Sequence, residues 1–259
     1  WVYADMAILG LGAIDVPLYP SLTADNVEFI LNNSESTTII VSNKFQLNKL
    51  LKIRNNCRFL KNIIILNEKD FIPGNKNLFT IKEVQERGAD FGKNNPYYFK
   101  EEMKLAKPSD LCTIIYTSGT TGEPKGVMLT HDNIVSNVRD ALLSFPIDKT
   151  DVFLSFLPLC HIFERMAGYY TAFASGAMIC YAETIDSVSS DLLEIKPTLM
   201  TAVPRLFERI HSKVIKNFES QPAKKQKIIN WSLETGRQYA QAKKRKNIPV
   251  SLSLKHAVA

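Results

Sequence analysis

The sequence predicts an α/β fold in which sheets are flanked by helices, and three observations predict it. Helix-period and strand-period stretches alternate from Tyr3 to Leu66. A β-type run, Leu111 to Tyr116, opens the middle of the chain, and a further α/β step begins at Met178.

Apolar spacing predicts a helix over Tyr3 to Ile14 and a short strand over Val16 to Tyr19. A helix follows from Thr23 with Val27, Ile30 and Leu31 on one face, then a strand over Thr37 to Ser42. The next helix turns Phe45, Leu50 and Leu51 inward and precedes a strand over Asn62 to Leu66. Thr80-Ile81-Lys82-Glu83 is a capping-box pattern that opens a further short helix. The rest of 67–109 is rich in Asn, Pro and Lys and reads mostly as surface excursion, with aromatics at Tyr97, Tyr98 and Phe99.

Beyond the central β-run, a strand over Val127 to Leu129 leads to a helix capped by Thr130, with Ile134, Val135, Val138, Ala141 and Leu142 at helical spacing. A strand over Val152 to Phe156 leads into Leu157-Pro158-Leu159-Cys160-His161. The uncharged run between Arg165 and Glu183 reads as a buried helix, a turn at Ser175-Gly176 and a strand over Met178 to Ala182. It reaches only the lower edge of the roughly 17 to 25 residues a membrane helix needs, so no transmembrane segment is predicted. The last step has a helix ending near Lys196, a strand over Thr198 to Val203, and a helix opened by Pro204 with Phe207, Ile210 and Val214 inward. No internal repeat occurs, and Lys246 to Pro249 is the one linker candidate.

With 259 residues, 45% hydrophobic and 22% charged, the chain can bury a sizeable core as one large domain or two smaller ones. Its four cysteines, at 57, 112, 160 and 180, form no C-x-x-C pair and have no histidine at metal-ligand spacing. They read as buried reduced thiols, which predicts a cytoplasmic protein and argues against a structural zinc site. Net charge is +6, and residues 224–246 hold eight cationic side chains against Glu234 alone. That segment predicts one long helix with a solvated face. The sharper alternative is peripheral contact with an anionic membrane, where clustered cations gain roughly 1 kcal/mol each. Nucleic acid is not expected, because no aromatic interleaving or binding module accompanies the charge.

The chemistry is concentrated in Tyr116-Thr117-Ser118-Gly119-Thr120-Thr121-Gly122-Glu123-Pro124-Lys125-Gly126. Four hydroxyls, three glycines and a lysine follow a strand, and glycines there let backbone N–H groups close around an anion. An ordinary Gly/Ser/Thr turn would need all three spacings to coincide by accident. A Walker A loop would have Gly-Lys followed by Ser or Thr, whereas Lys125 lies between Pro124 and Gly126. The stretch therefore reads as a nucleotide-phosphate loop of another kind.

This loop resembles that of the adenylate-forming enzymes. Leu157 to Arg165, Val203-Pro204-Arg205-Leu206-Phe207 and the segment Ala7 to Pro20 extend the likeness to the long-chain fatty-acid CoA ligases over nearly the whole chain. The resemblance implies the large N-terminal, AMP-binding domain of such an enzyme. Residues 1–110 would form a first α/β part, and 111–259 a part with the phosphate loop and acyl site. It implies ATP, Mg²⁺ and coenzyme A as cofactor and co-substrates, and a fatty acid as substrate. Thr117, Ser118, Gly119, Thr120, Thr121, Gly122 and Lys125 match positions that hold the β- and γ-phosphates, with Thr117 also on Mg²⁺. His161 matches the position beside the reacting carboxylate. A peptide-synthetase adenylation domain would need an acidic residue for its substrate's ammonium. Cys160, His161, Ile162 and Phe163 suit a carboxylate on an apolar tail instead. Glu164 and Arg165 are expected to form a local surface ion pair without chemistry.

The family continues with a Tyr-Gly-x-Thr-Glu type segment, a ribose-binding aspartate, a hinge and a small C-terminal domain with a catalytic lysine, and none of these occurs here. The chain is therefore expected to be a piece of a larger ligase, weak for ATP and inactive alone. Two other readings stay open: a non-catalytic homologue that binds nucleotide or acyl chains, and an unrelated phosphate-loop NTPase.

Overall fold

The computed structural model describes residues 1–117 and 123–258. It divides into two compact units, residues 1–201 and 202–259.

The first unit begins with helix α1 (Val2–Gly10), which stops short of the expected Ile14 at a turn over residues 11–12. The strand expected at Val16 to Tyr19 is reduced to one parallel bridge between Asp15 and Thr113. Pro17 and Pro20 have no N–H to donate, so a ladder cannot continue through them. Helix α2 (Ala24–Asn33) starts where Thr23 caps the Asn26 N–H and buries Val27, Ile30 and Leu31 as predicted.

Strand β1 (Thr38–Val41), helix α3 (Lys44–Ile53) and strand β2 (Asn62–Ile65) follow in the expected order. Strand β3 (Leu78–Thr80) completes a parallel sheet in the order β1-β2-β3. Its core joins Val27, Leu31, Leu47, Leu50, Ile53, Ile63 and Ile65. Phe45 does not turn inward: it is 70% exposed, with the Lys49 ammonium 5.4 Å from its ring centroid. The inward face is Leu47, Leu50 and Ile53, at i, i+3 and i+6, and Phe45 falls off that stripe.

The segment read as surface excursion holds more order than expected. Thr80 and Glu83 form the full capping box, and helix α4 (Ile81–Asn94) runs 14 residues. Helix α5 (Tyr98–Leu105) follows. The capping box announced the start of α4 but not its length, and α5 was not announced; neither helix buries a residue, so their apolar pattern is sparse.

Strands β4 (Leu111–Thr117) and β5 (Lys125–Thr130) form an antiparallel hairpin, and helix α6 (His131–Ser144) leaves it through a Thr130–Asn133 capping box. Strands β6 (Val152–Ser155) and β7 (Met178–Tyr181) pair in parallel. Between them a helical stretch begins after His161, passes through a π-helical segment (Glu164–Tyr170) and ends in α7 (Thr171–Ser175). Tyr169 and Tyr170 pack with Val138 of α6 in a second core. Helix α8 (Val188–Ile195) ends at Lys196. Beyond it, the expected strand over Thr198 to Val203 is reduced to a bridge from Leu199 to Phe153, with the Thr198 hydroxyl taking the Val152 N–H at 3.0 Å beside it.

The second unit contains helices α9 (Pro204–Glu219), α10 (Ala223–Lys244) and α11 (Val250–Val258). Pro204 stands at the first turn of α9 as predicted, but Phe207 is 62% and Val214 42% exposed. The apolar stripe is present, yet these two side chains stay largely exposed; periodicity predicts sidedness, not a partner. The cationic residues of 224–246 are all exposed. At 100° per residue, Lys224, Lys225, Lys227, Arg237, Lys243 and Lys244 fall around α10 rather than along one face. Among the described residues no helix is long and apolar enough to cross a membrane.

Candidate active site

The hairpin brings two predicted site residues together. Thr117 ends β4, Lys125 begins β5, and the two are register partners across the ladder. Both are exposed, at the two roots of the connection 118–124. Ser118, Gly119, Thr120, Thr121 and Gly122 lie outside the described residues. Gly126 serves the hairpin rather than an anion. A Cβ there would stand 2.8 Å from Ile114 Cγ2 and 3.1 Å from the Tyr116 ring, so only glycine lets that ring lie across β5. The ring is held in turn by a 2.6 Å hydrogen bond from Tyr116 Oη to Asn33 Oδ1.

His161 is exposed, in the turn between β6 and the helical stretch. Its Nδ1 accepts the Phe163 N–H at 3.2 Å, so in the neutral ring the proton is on Nε2. Cys160 beside it is buried, and burial pushes its thiol up to about 11. At neutral pH it stays a thiol and is no nucleophile.

Glu164 and Arg165 are not a surface pair. Both are fully buried, and they engage different partners. Glu164 Oε2 accepts the Thr201 hydroxyl, while Oε1 has no hydrogen-bond partner and lies where a Cβ on Gly168 would be, 2.5 Å away. Glycine at 168 is thus what admits the carboxyl. Burial holds the Glu164 pKa above the usual carboxylate range, against hydrogen bonds from Ser155 and Thr201.

The Arg165 guanidinium is the centre of a buried polar network. Nε donates to Tyr170 Oη at 2.9 Å, Nη1 to Thr113 Oγ1 at 2.8 Å, and Nη2 to Asp5 Oδ1. Asp15 Oδ2 lies 2.9 Å from Nη2 as an ionic contact. Tyr170 Oη donates to Asp5 Oδ2 at 2.8 Å, and the Thr113 hydroxyl donates to the Asp15 carbonyl at 2.8 Å. Burial works against the charge on Arg165, but Tyr170, Asp5 and Asp15 hold its pKa above the ordinary value. Sequence reasoning missed this centre. Nothing in the spacing of Asp5, Asp15, Thr113 and Arg165 announces contacts made across up to 160 residues.

Asp15 is the titratable member of the network. Burial pushes its carboxyl up to about 6; Arg165 opposes the shift and the neighbouring Asp5 adds to it. The folded chain therefore holds this proton more tightly than the unfolded chain. The corresponding stability is fully present below about pH 3.8 and lost as pH rises through about 6. Asp15→Asn is expected to gain stability relative to the parent between pH 4 and 7. Urea midpoints of the two proteins that move in parallel over that range would contradict the assignment.

A cavity of about 460 Å³ lies between the 14–20 segment and the β1 side of the first sheet, with Asp5 and Asp15 on its wall. It includes neither Thr117, Lys125 nor His161, so it is not the predicted site.

The chain matches the AMP-binding enzyme family over residues 1–256. It is 31% identical to a fatty acyl-CoA synthetase A of Dictyostelium discoideum over 91% of this chain and 35% of that protein. It is 32% identical to long chain acyl-CoA synthetase 6, peroxisomal, of Arabidopsis thaliana, over 89% of this chain and 32% of that protein. Among solved structures, an anthranilate CoA ligase in complex with anthranoyl-AMP superposes with a TM-score of 0.63 at 22% identity, over 80% of this chain and 38% of that one. The chain thus spans about a third of the length of the curated relatives it matches. A fold with this hairpin, and a match that runs almost from end to end, make it a member of the AMP-binding enzyme family.

Proposed function

We propose that the protein carrying these residues activates a long-chain fatty acid, forming an acyl-adenylate from ATP and then an acyl-CoA. The observation that carries the reading is the cross-strand pairing of Thr117 with Lys125, which sets a hydroxyl and a cation at the roots of the 118–124 loop. The acid's carboxylate, ionised at neutral pH, attacks the α-phosphate and expels pyrophosphate. The thiol of coenzyme A then attacks the acyl carbon and releases AMP. No general base is required for the first step, so positioning and charge neutralisation are what the protein supplies.

In this reading the loop Thr117, Ser118, Gly119, Thr120, Thr121, Gly122 and Lys125 holds the polyphosphate, and Lys125 neutralises its charge. His161 orients the acyl carboxylate by donating from Nε2. Among the described residues no cluster of three His, Cys, Asp or Glu could hold a metal. The exposed Thr117 hydroxyl suits Mg²⁺ bound chiefly by phosphate oxygens and water. Bound there, the ion would neutralise phosphate charge. We assign residues 1–110 to framing the site and 111–259 to the phosphate loop and acyl site.

The test is acid-dependent ATP–pyrophosphate exchange with palmitate in the full-length protein. Exchange that needs palmitate supports the reading; ATP hydrolysis indifferent to any carboxylic acid would sink it. The 259-residue chain alone is expected to be much slower, and an equal rate would refute the dependence on further residues. His161→Ala is expected to slow exchange, and an unchanged rate removes that role. For 224–246 the scattered charges favour a solvated helix. Retention on phosphatidylserine vesicles well above neutral ones would overturn that choice.

A further inference from the structure

Arg165 reaches two separate parts of the proposed site. Its backbone N–H bonds the His161 carbonyl at 3.0 Å, so it stands one helical turn beyond the imidazole. Its Nη1 bonds Thr113 Oγ1 at 2.8 Å on β4, four residues before Thr117. The other guanidinium donors go to Tyr170 and Asp5, with Asp15 beside them, so the group cannot swing away. A guanidinium is planar, and its donors are fixed relative to one another. Its plane therefore transmits the position of β4 to the turn that carries His161.

We propose that Arg165 is a positioning residue, using Thr113 to set the spacing between the His161 turn and the hairpin of Thr117 and Lys125. The inference rests on the fatty-acid activation reading. The Arg165 side chain is fully buried, so each part of the site should still bind its own ligand when the link is cut. What is lost is their mutual register, which matters at the moment of attack; a misplacement of about 1 Å can cost on the order of a hundredfold. The signature is a fall in kcat with KM nearly unchanged.

The test compares Arg165→Lys, Thr113→Val and Thr113→Ser in the full-length protein, with palmitate-dependent exchange normalised to folded protein by circular dichroism. Thr113→Val is expected to lower kcat about tenfold or more, with KM for ATP and palmitate within about twofold, and Thr113→Ser to restore it. Arg165→Lys, which keeps the charge and loses the fork, is expected to show the same split. Should it fail to fold, the Thr113 pair decides. An active parent whose Thr113→Val variant keeps its kcat per folded molecule overturns the proposal and leaves the function intact. A parent without palmitate-dependent exchange overturns both, a result distinguishable at once from the first.

Discussion

Lys125→Ala is expected to reduce palmitate-dependent pyrophosphate exchange in the full-length protein by about 10²- to 10³-fold, the range seen when one preorganised charge-stabilising group is removed. Lys125 is exposed and opens an edge of the hairpin, so its loss leaves no buried group unpaired and the fold should persist. A stability measurement on the same variant separates the two effects, with the denaturation midpoint expected to stay near that of the parent. Lys125→Arg should recover part of the rate, since the charge remains on a differently shaped head group. An alanine variant within threefold of the parent would mean that the lysine does not meet phosphate.

Arg165→Met should have the opposite profile, acting on the fold itself. Removing the guanidinium leaves Asp5 and Asp15 facing each other without a cation and deprives Tyr170 and Thr113 of a donor. Breaking a buried pair from one side costs about 3 to 5 kcal/mol. The cost should shrink at acidic pH, because protonation removes the stranded charge, and Asp15 already titrates near 6 with Arg165 present. Guanidinium chloride denaturation at pH 5 and pH 8 measures both. A loss below about 1 kcal/mol at pH 8 would show that solvent or rearrangement satisfies the pair and that the network contributes little to the stability of the fold.

Most of the α/β order could be read from local pattern. Thr23, Thr80 and Thr130 cap helices through contacts only three residues long, and such contacts are written in the sequence. The Ile-rich strand 62–65 likewise declared itself. Strand β3 did not, since three residues are too few to display a period. Within the candidate site, the closeness of Thr117 and Lys125 was legible because they flank one short contiguous loop. Arg165 was misread as a surface ion-pair partner because Glu164 stands next to it in sequence. The π-helical stretch buries both side chains, and their partners Thr201, Asp5 and Thr113 lie far away along the chain. Phe45 and Phe207 teach a similar lesson, since an apolar side chain at the right spacing still needs something to lie against.

The facing of Thr117 and Lys125 also has a practical meaning for anyone rebuilding this protein. The two anchors are held in register by the ladder between β4 and β5. The connection can therefore be exchanged as a cassette, lengthened or recomposed, while its entry and exit keep their alignment. Insertions inside the ladder have no such freedom: a slip of one position would turn the lysine to the opposite side of the ribbon.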